Sequence, residues 1–86
     1  MSQKNVEYRS AKGKRLEGHS LAARMSKEIV NVTLAHAFIM AKTAGIQFHV
    51  AKYEGIPSSS FLEKGIETIN VVVVKGLIRK SWVDVP

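Results

Sequence analysis

The sequence predicts an α+β domain: one long helix packed on a small mixed sheet, ending in a C-terminal β-hairpin. Three observations carry that expectation. In residues 21–44, Leu21, Met25, Ile29, Val32, His36, Ile39 and Thr43 recur at steps of three and four, the period of one helix face. Residues 46–50 (IQFHV) alternate apolar and polar side chains, as a half-buried strand does. Residues 67–74 and 77–85 are two β-rich runs separated by Lys75-Gly76, a two-residue turn.

Ser20 is the expected N-cap of the helix and Gly45 its C-terminal stop. Val30, Leu34, Ala37, Phe38 and Ala41 make the middle of this helix apolar on its other sides too. Such a helix needs cover on more than one face, and a sheet this small covers one. The second cover is either the N-terminal segment or another copy of the chain, and a homodimer is the expectation. Ile46, Phe48 and Val50 point inward from the following strand, which closes at Tyr53–Pro57. The loop Ser58–Gly65 (SSSFLEKG) leads to the hairpin. A straight hairpin register pairs Val73 with Ile78, Val71 with Lys80 and Ile69 with Trp82. Ile69, Val71, Val73, Ile78 and Trp82 then face the helix, and Trp82 is expected in the core. The opposite face carries Asn70, Val72, Val74, Leu77, Arg79 and Ser81, half of them apolar and only half suited to water.

The chain has 86 residues, 45% of them hydrophobic, which sets a single small domain with one core. Cysteine is absent, so no disulfide adds to that core. The longest charge-free run, Ile29–Ala41, is too short to span a bilayer. No apolar stretch follows the first charges, so no signal peptide is read and a cytoplasmic, non-membrane protein is expected. The formal net charge of +6 is concentrated at the front. Residues 1–18 form a basic, partly flexible segment, and residues 19–86 the domain. Lys4, Arg9, Lys12, Lys14 and Arg15 in that segment suit a nucleic acid or another anionic surface, or a solvated tail.

No reaction is legible. His36 lies in the helix stripe, but Val32, Thr33, Ile39 and Met40 occupy the positions from which a second ligand would share a metal. His19 and His49 stand in no constellation either. The three loop serines have no histidine near in sequence and no nucleophile-elbow glycines. A non-enzymatic protein without cofactor or metal is the expectation. Phe61 and Leu62 at the middle of the loop either fold back into a small cluster or meet a protein partner.

One further pattern runs through Ala44-Gly45, Ile46 to Val50, Glu54-Gly55, Pro57, Ile69-Asn70-Val71, Gly76 and Trp82-Val83. In these residues the segment 44–84 resembles the bacterial peptidase-inhibitor-like domains related to potato inhibitor I. The resemblance implies a helix, an alternating strand, a protruding loop and a hairpin. It also implies that Ser58, Ser59, Ser60, Phe61, Leu62, Glu63 and Lys64 form a protease-binding loop. Leu62 would fill the primary pocket of a subtilisin- or chymotrypsin-like protease, with Phe61 before it and Glu63 after the scissile bond. Inhibitory members brace this loop with arginines, whereas the corresponding positions here are Gly65 and Thr68, and Phe61 stands where a threonine is common. Without guanidinium forks the loop has fewer charge-assisted bonds to hold it, and cleavage as a substrate competes with inhibition. The expected function is a binding protein, with protease inhibition through residues 58–64 the leading form. The alternatives are a binder of nucleic acid or anionic surfaces through the basic arm, and a self-associating interaction protein.

Overall fold

The computed structural model describes residues 20–86. The basic segment, with Lys4, Arg9, Lys12, Lys14 and Arg15, and His19 lie outside the described residues. Two helices precede four strands: α1 (Leu21–Glu28), α2 (Leu34–Ala44), β1 (Gln47–Tyr53), β2 (Ile56–Pro57), β3 (Thr68–Val74) and β4 (Leu77–Asp84). The α+β class holds, but the single long helix does not.

Residues 29–33 break it. The Ser20 hydroxyl accepts the Ala23 N–H at 2.9 Å and starts α1 as expected. The break falls in Val30-Asn31-Val32-Thr33, where β-branched residues and asparagine are weak helix formers. Asn31 takes a left-handed conformation (φ 72°), which asparagine tolerates better than most residues. Thr33 then caps α2, its hydroxyl accepting the His36 N–H at 3.2 Å. The freed backbone finds partners on β4 and in the turn before it. Asn31 N–H donates to the Ile78 carbonyl at 2.7 Å, Ile78 N–H to the Val32 carbonyl at 2.9 Å, and Leu34 N–H to the Gly76 carbonyl at 3.0 Å. Burial changes phase across the break. Of the expected stripe, Met25 and Ile29 are buried and Val32 packs against the core, but Leu21, His36, Ile39 and Thr43 are exposed, and Ala37 and Ala41 are buried instead. A helix period does not carry through residues that are not helical. Gly45, at φ 73°, ends α2 as expected.

The sheet order is β2-β1-β3-β4, with β1 and β3 parallel and the other pairs antiparallel. Ile29, Ile69, Val71, Val73 and Ile78 are fully buried, and Ile46, Phe48 and Val50 pack against them as the alternation predicts. Each fully buried side chain contributes about 1.5–3 kcal/mol relative to an exposed one. Lys75 and Gly76 both have positive φ (55° and 76°), the two-residue turn whose twist suits a hairpin. Nearby, the Glu54 carboxylate at the β1–β2 turn accepts the N–H groups of Lys75 at 2.7 Å and Gly76 at 2.9 Å. Those two bonds, with the Lys75 charge, hold its carboxyl below the usual carboxylate range.

The hairpin register differs from the straight one. Val73 does pair with Ile78, but a bulge follows, so Lys80 sits opposite Val72, Ser81 opposite Val71 and Trp82 opposite Asn70. In the straight register Lys80 would face the helices, and burying an unpaired ammonium group there is prohibitive. The extra residue turns Lys80 outward and brings Ser81 to α1, where its hydroxyl lies 2.7 Å from that of Ser26. Trp82 turns outward with Lys80. It is 42% exposed rather than core, and Val83 takes its place against Ile69. Among the described residues no helix is long and apolar enough to cross a membrane.

Candidate functional site

Parallel pairing of β1 with β3 requires the chain to cross from one end of the sheet to the other between them. It does so without a helix, through β2 and residues 58–67. These crossing residues contain the whole loop that the sequence singled out.

The start of the loop extends the β1–β2 pairing, with Ser58 N–H donating to the Ala51 carbonyl at 3.0 Å. Its far end is tied by Gly65 N–H to the Pro86 carbonyl at 3.0 Å. Ser58, Ser59, Ser60, Glu63 and Lys64 are exposed. Phe61 is 94% exposed, the most exposed of the large hydrophobic side chains, and Leu62 beside it is half-buried. A phenyl ring held in water contributes no burial to the fold that carries it.

The support beneath the loop is polar. Gln47 on β1 and Thr68 on β3 are register partners, as are His49 and Asn70. These four point away from the helices, because their neighbours Phe48, Val50, Ile69 and Val71 point toward them. Even so, Thr68 is fully buried and Asn70 is 5% exposed. The Gln47 amide donates to Thr68 Oγ1 at 2.7 Å and to the Glu63 carbonyl at 3.1 Å, and its Oε1 accepts the Glu63 N–H at 2.9 Å. Thr68 Oγ1 in turn donates to the Ile66 carbonyl at 3.0 Å. Asn70 Nδ2 donates to Asp84 Oδ1 at 2.9 Å, which leaves its Oδ1 to accept from His49 Nδ1 at 3.0 Å. His49 Nε2 is buried without a partner among the described residues.

Of the two bracing positions implied by the resemblance, Thr68 lies at the base of the loop and acts through Gln47. Gly65 contributes only its main chain. Gln47, Asn70 and Asp84 were not among the site residues expected from the sequence. The available signal was a shared polar face: Gln-x-His on one strand lies beside Thr-x-Asn on its neighbour.

A second feature borders the loop. Ser60 lines an open groove of about 500 Å³ together with Leu34, Phe38, Phe48 and Val50. The Phe38 and Phe48 rings meet edge to face, with centroids 6.0 Å apart. None of the loop serines bonds a histidine among the described residues, and no cluster of three metal-ligating side chains occurs among them. His36 stands exposed on α2.

Fold and site together define a small α+β domain with a supported loop on a four-stranded mixed sheet. Comparisons with protein-family models, curated proteins and solved structures find no match to this chain.

Proposed function

We propose that the chain is a non-enzymatic binding protein whose loop, residues 58–64, engages a subtilisin- or chymotrypsin-like serine protease. The observation that carries this reading is the contrast within the loop: a fully projecting Phe61 on a main chain held from below at Glu63. A protease reads an extended segment by its main chain and by one side chain in the primary pocket. A loop already fixed loses less conformational freedom on binding. The resemblance places Leu62 in the primary pocket. The exposure of Phe61 makes the phenyl ring the larger contact, and an apolar pocket accepts either side chain.

Titration against one subtilisin-type and one chymotrypsin-type protease tests the reading. Inhibition, or a slow single cut next to Phe61 or Leu62, is expected. A chain that neither inhibits nor is cut at the loop by either protease would refute it.

Self-association is the second reading. Phe38 and Ile39, adjacent on α2, are 48% and 60% exposed, and both lie outside the core. Sedimentation over a range of concentrations tests it: a mass that rises with concentration supports a homodimer, and a constant monomer mass refutes it. Binding of nucleic acid or an anionic surface through Lys4, Arg9, Lys12, Lys14 and Arg15 is a proposal that rests on composition alone. It predicts retention on nucleic acid that vanishes at moderate salt.

A further inference from the structure

We propose that Gln47 is the positioning residue of the loop: its side-chain amide clamps the main chain of Glu63 and does the bracing that arginines would otherwise do. The inference rests on the protease-binding reading and names the residue on which inhibition, rather than simple cleavage, depends.

The clamp is two-sided. Oε1 accepts the Glu63 N–H at 2.9 Å while Nε2 donates to the Glu63 carbonyl at 3.1 Å, the pairing a neighbouring strand would offer. The second Nε2 hydrogen goes to Thr68 Oγ1 at 2.7 Å, so both amide donors and one oxygen acceptor site are used. The orientation of the amide follows from the network. Thr68 Oγ1 gives its proton to the Ile66 carbonyl and can only accept from Gln47. A flipped amide would set oxygen against that hydroxyl oxygen and NH₂ against the Glu63 N–H. Thr68 is fully buried on β3 and Gln47 is anchored on β1, so the clamp stands on the sheet and not on the loop. The arginines among the described residues are elsewhere. Arg24 lies on α1, and Arg79 donates to Asn31 Oδ1 at 2.9 Å.

The location gives the clamp its consequence. When the protease serine attacks the Leu62 carbonyl carbon, the Leu62–Glu63 C–N bond breaks. The acyl group passes to the serine oxygen, and the Glu63 nitrogen leaves as an amine with a proton supplied by the protease. Held by Gln47, that amine stays beside the acyl carbon. It attacks again, expels the serine oxygen, returns the proton and restores the peptide bond. Released, it leaves the acyl group to water. A cut one residue earlier, after Phe61, frees the Leu62 nitrogen, whose chain is still held at the next residue.

The test compares wild type, Gln47→Ala and Gln47→Glu with the same two proteases, well below each variant's thermal midpoint. Gln47→Ala is expected to be cut at the loop at least about tenfold faster than wild type, which two lost hydrogen bonds can produce. Gln47→Glu keeps the acceptor for the Glu63 N–H, loses the donor, and is expected to fall between. Hydrogen exchange reads the clamp without a protease: Glu63 should lose protection in Gln47→Ala while Val71 in the core keeps its own. A wild-type loop that inhibits, with Gln47→Ala inhibiting equally and cut no faster, would overturn the inference and leave the protease reading intact. If wild type neither inhibits nor is cut, the protease reading falls. The clamp is then judged by exchange alone, and unchanged protection of Glu63 in Gln47→Ala would overturn it.

Discussion

The two faces of the central strand pair are buried by different means. Toward the helices, Ile69, Val71 and Val73 are sealed by apolar packing. Toward the loop, Thr68 and Asn70 are also buried, and their polar groups are paired by hydrogen bonds with Gln47, His49 and Asp84. Packing of the first kind has no direction and tolerates small adjustments; its strength scales with area. Hydrogen bonds fix angles and distances, and an unmade one in a buried setting is costly. The dry face therefore supplies stability, while the polar face fixes the conformation of the loop above it.

The comparison breaks most visibly on the dry side. Ile69→Ala should destabilise the domain by about 2–5 kcal/mol, a large fraction of what a small domain has. Chemical denaturation gives the value; a loss under about 1 kcal/mol would place Ile69 outside the core.

On the polar face, Asn70→Ala strands His49 Nδ1 and an oxygen of Asp84. The expected loss is about 1–3 kcal/mol, smaller than that of Ile69→Ala. Exchange should quicken at residues 63–66 before it does at Val71. Uniform loosening of the whole sheet would erase the distinction drawn between the faces.

Trp82 sharpens the boundary between the faces. Set outward by the bulge, it should emit as a solvent-exposed indole, and Trp82→Ala should cost about 1 kcal/mol or less. Blue-shifted emission together with a loss of several kcal/mol would restore the straight hairpin register.

The smallest effect is expected where both turns meet, at Glu54. Its folded-state carboxyl titrates below its unfolded value, so its stabilising contribution is present above the unfolded pKa. That contribution is lost as pH falls through the lowered folded value. Wild type should therefore exceed Glu54→Gln in denaturation midpoint at neutral pH, and the two should converge in acid. A gap that persists or widens in acid would exclude the carboxylate as its source.

Much of this was legible in the residues because it is local. Ser20 as a cap, Gly45 as a stop and Lys75-Gly76 as a turn each depend on bonds within a few positions. The alternation of Ile46, Phe48 and Val50 predicts the inner face of β1 for the same reason. The helix break was legible in part, since Asn31 and Thr33 are residues that leave or start helices, but the apolar period through 29–39 concealed it. In the candidate site, the position of residues 58–64 as a loop could be read; that Phe61 projects while Leu62 is half-buried, and the support beneath them, could not.

The sequence by itself determined the α+β class, the inner faces of β1 and β3 and the position of the loop. Side-chain period and turn chemistry act between near neighbours, and they need no knowledge of the rest of the chain. Only the tertiary structure decided the rest. Asn31 and Val32 leave the helix to bond Ile78 on β4, far along the chain. The bulge spares Lys80 a place under α1 and thereby turns Trp82 outward. Gln47 meets Glu63 sixteen residues away because β1 and β3 run parallel with the loop folded over them. Each of these outcomes depends on which polar groups the assembled fold would otherwise leave buried and unpaired, and that is settled only once distant segments meet.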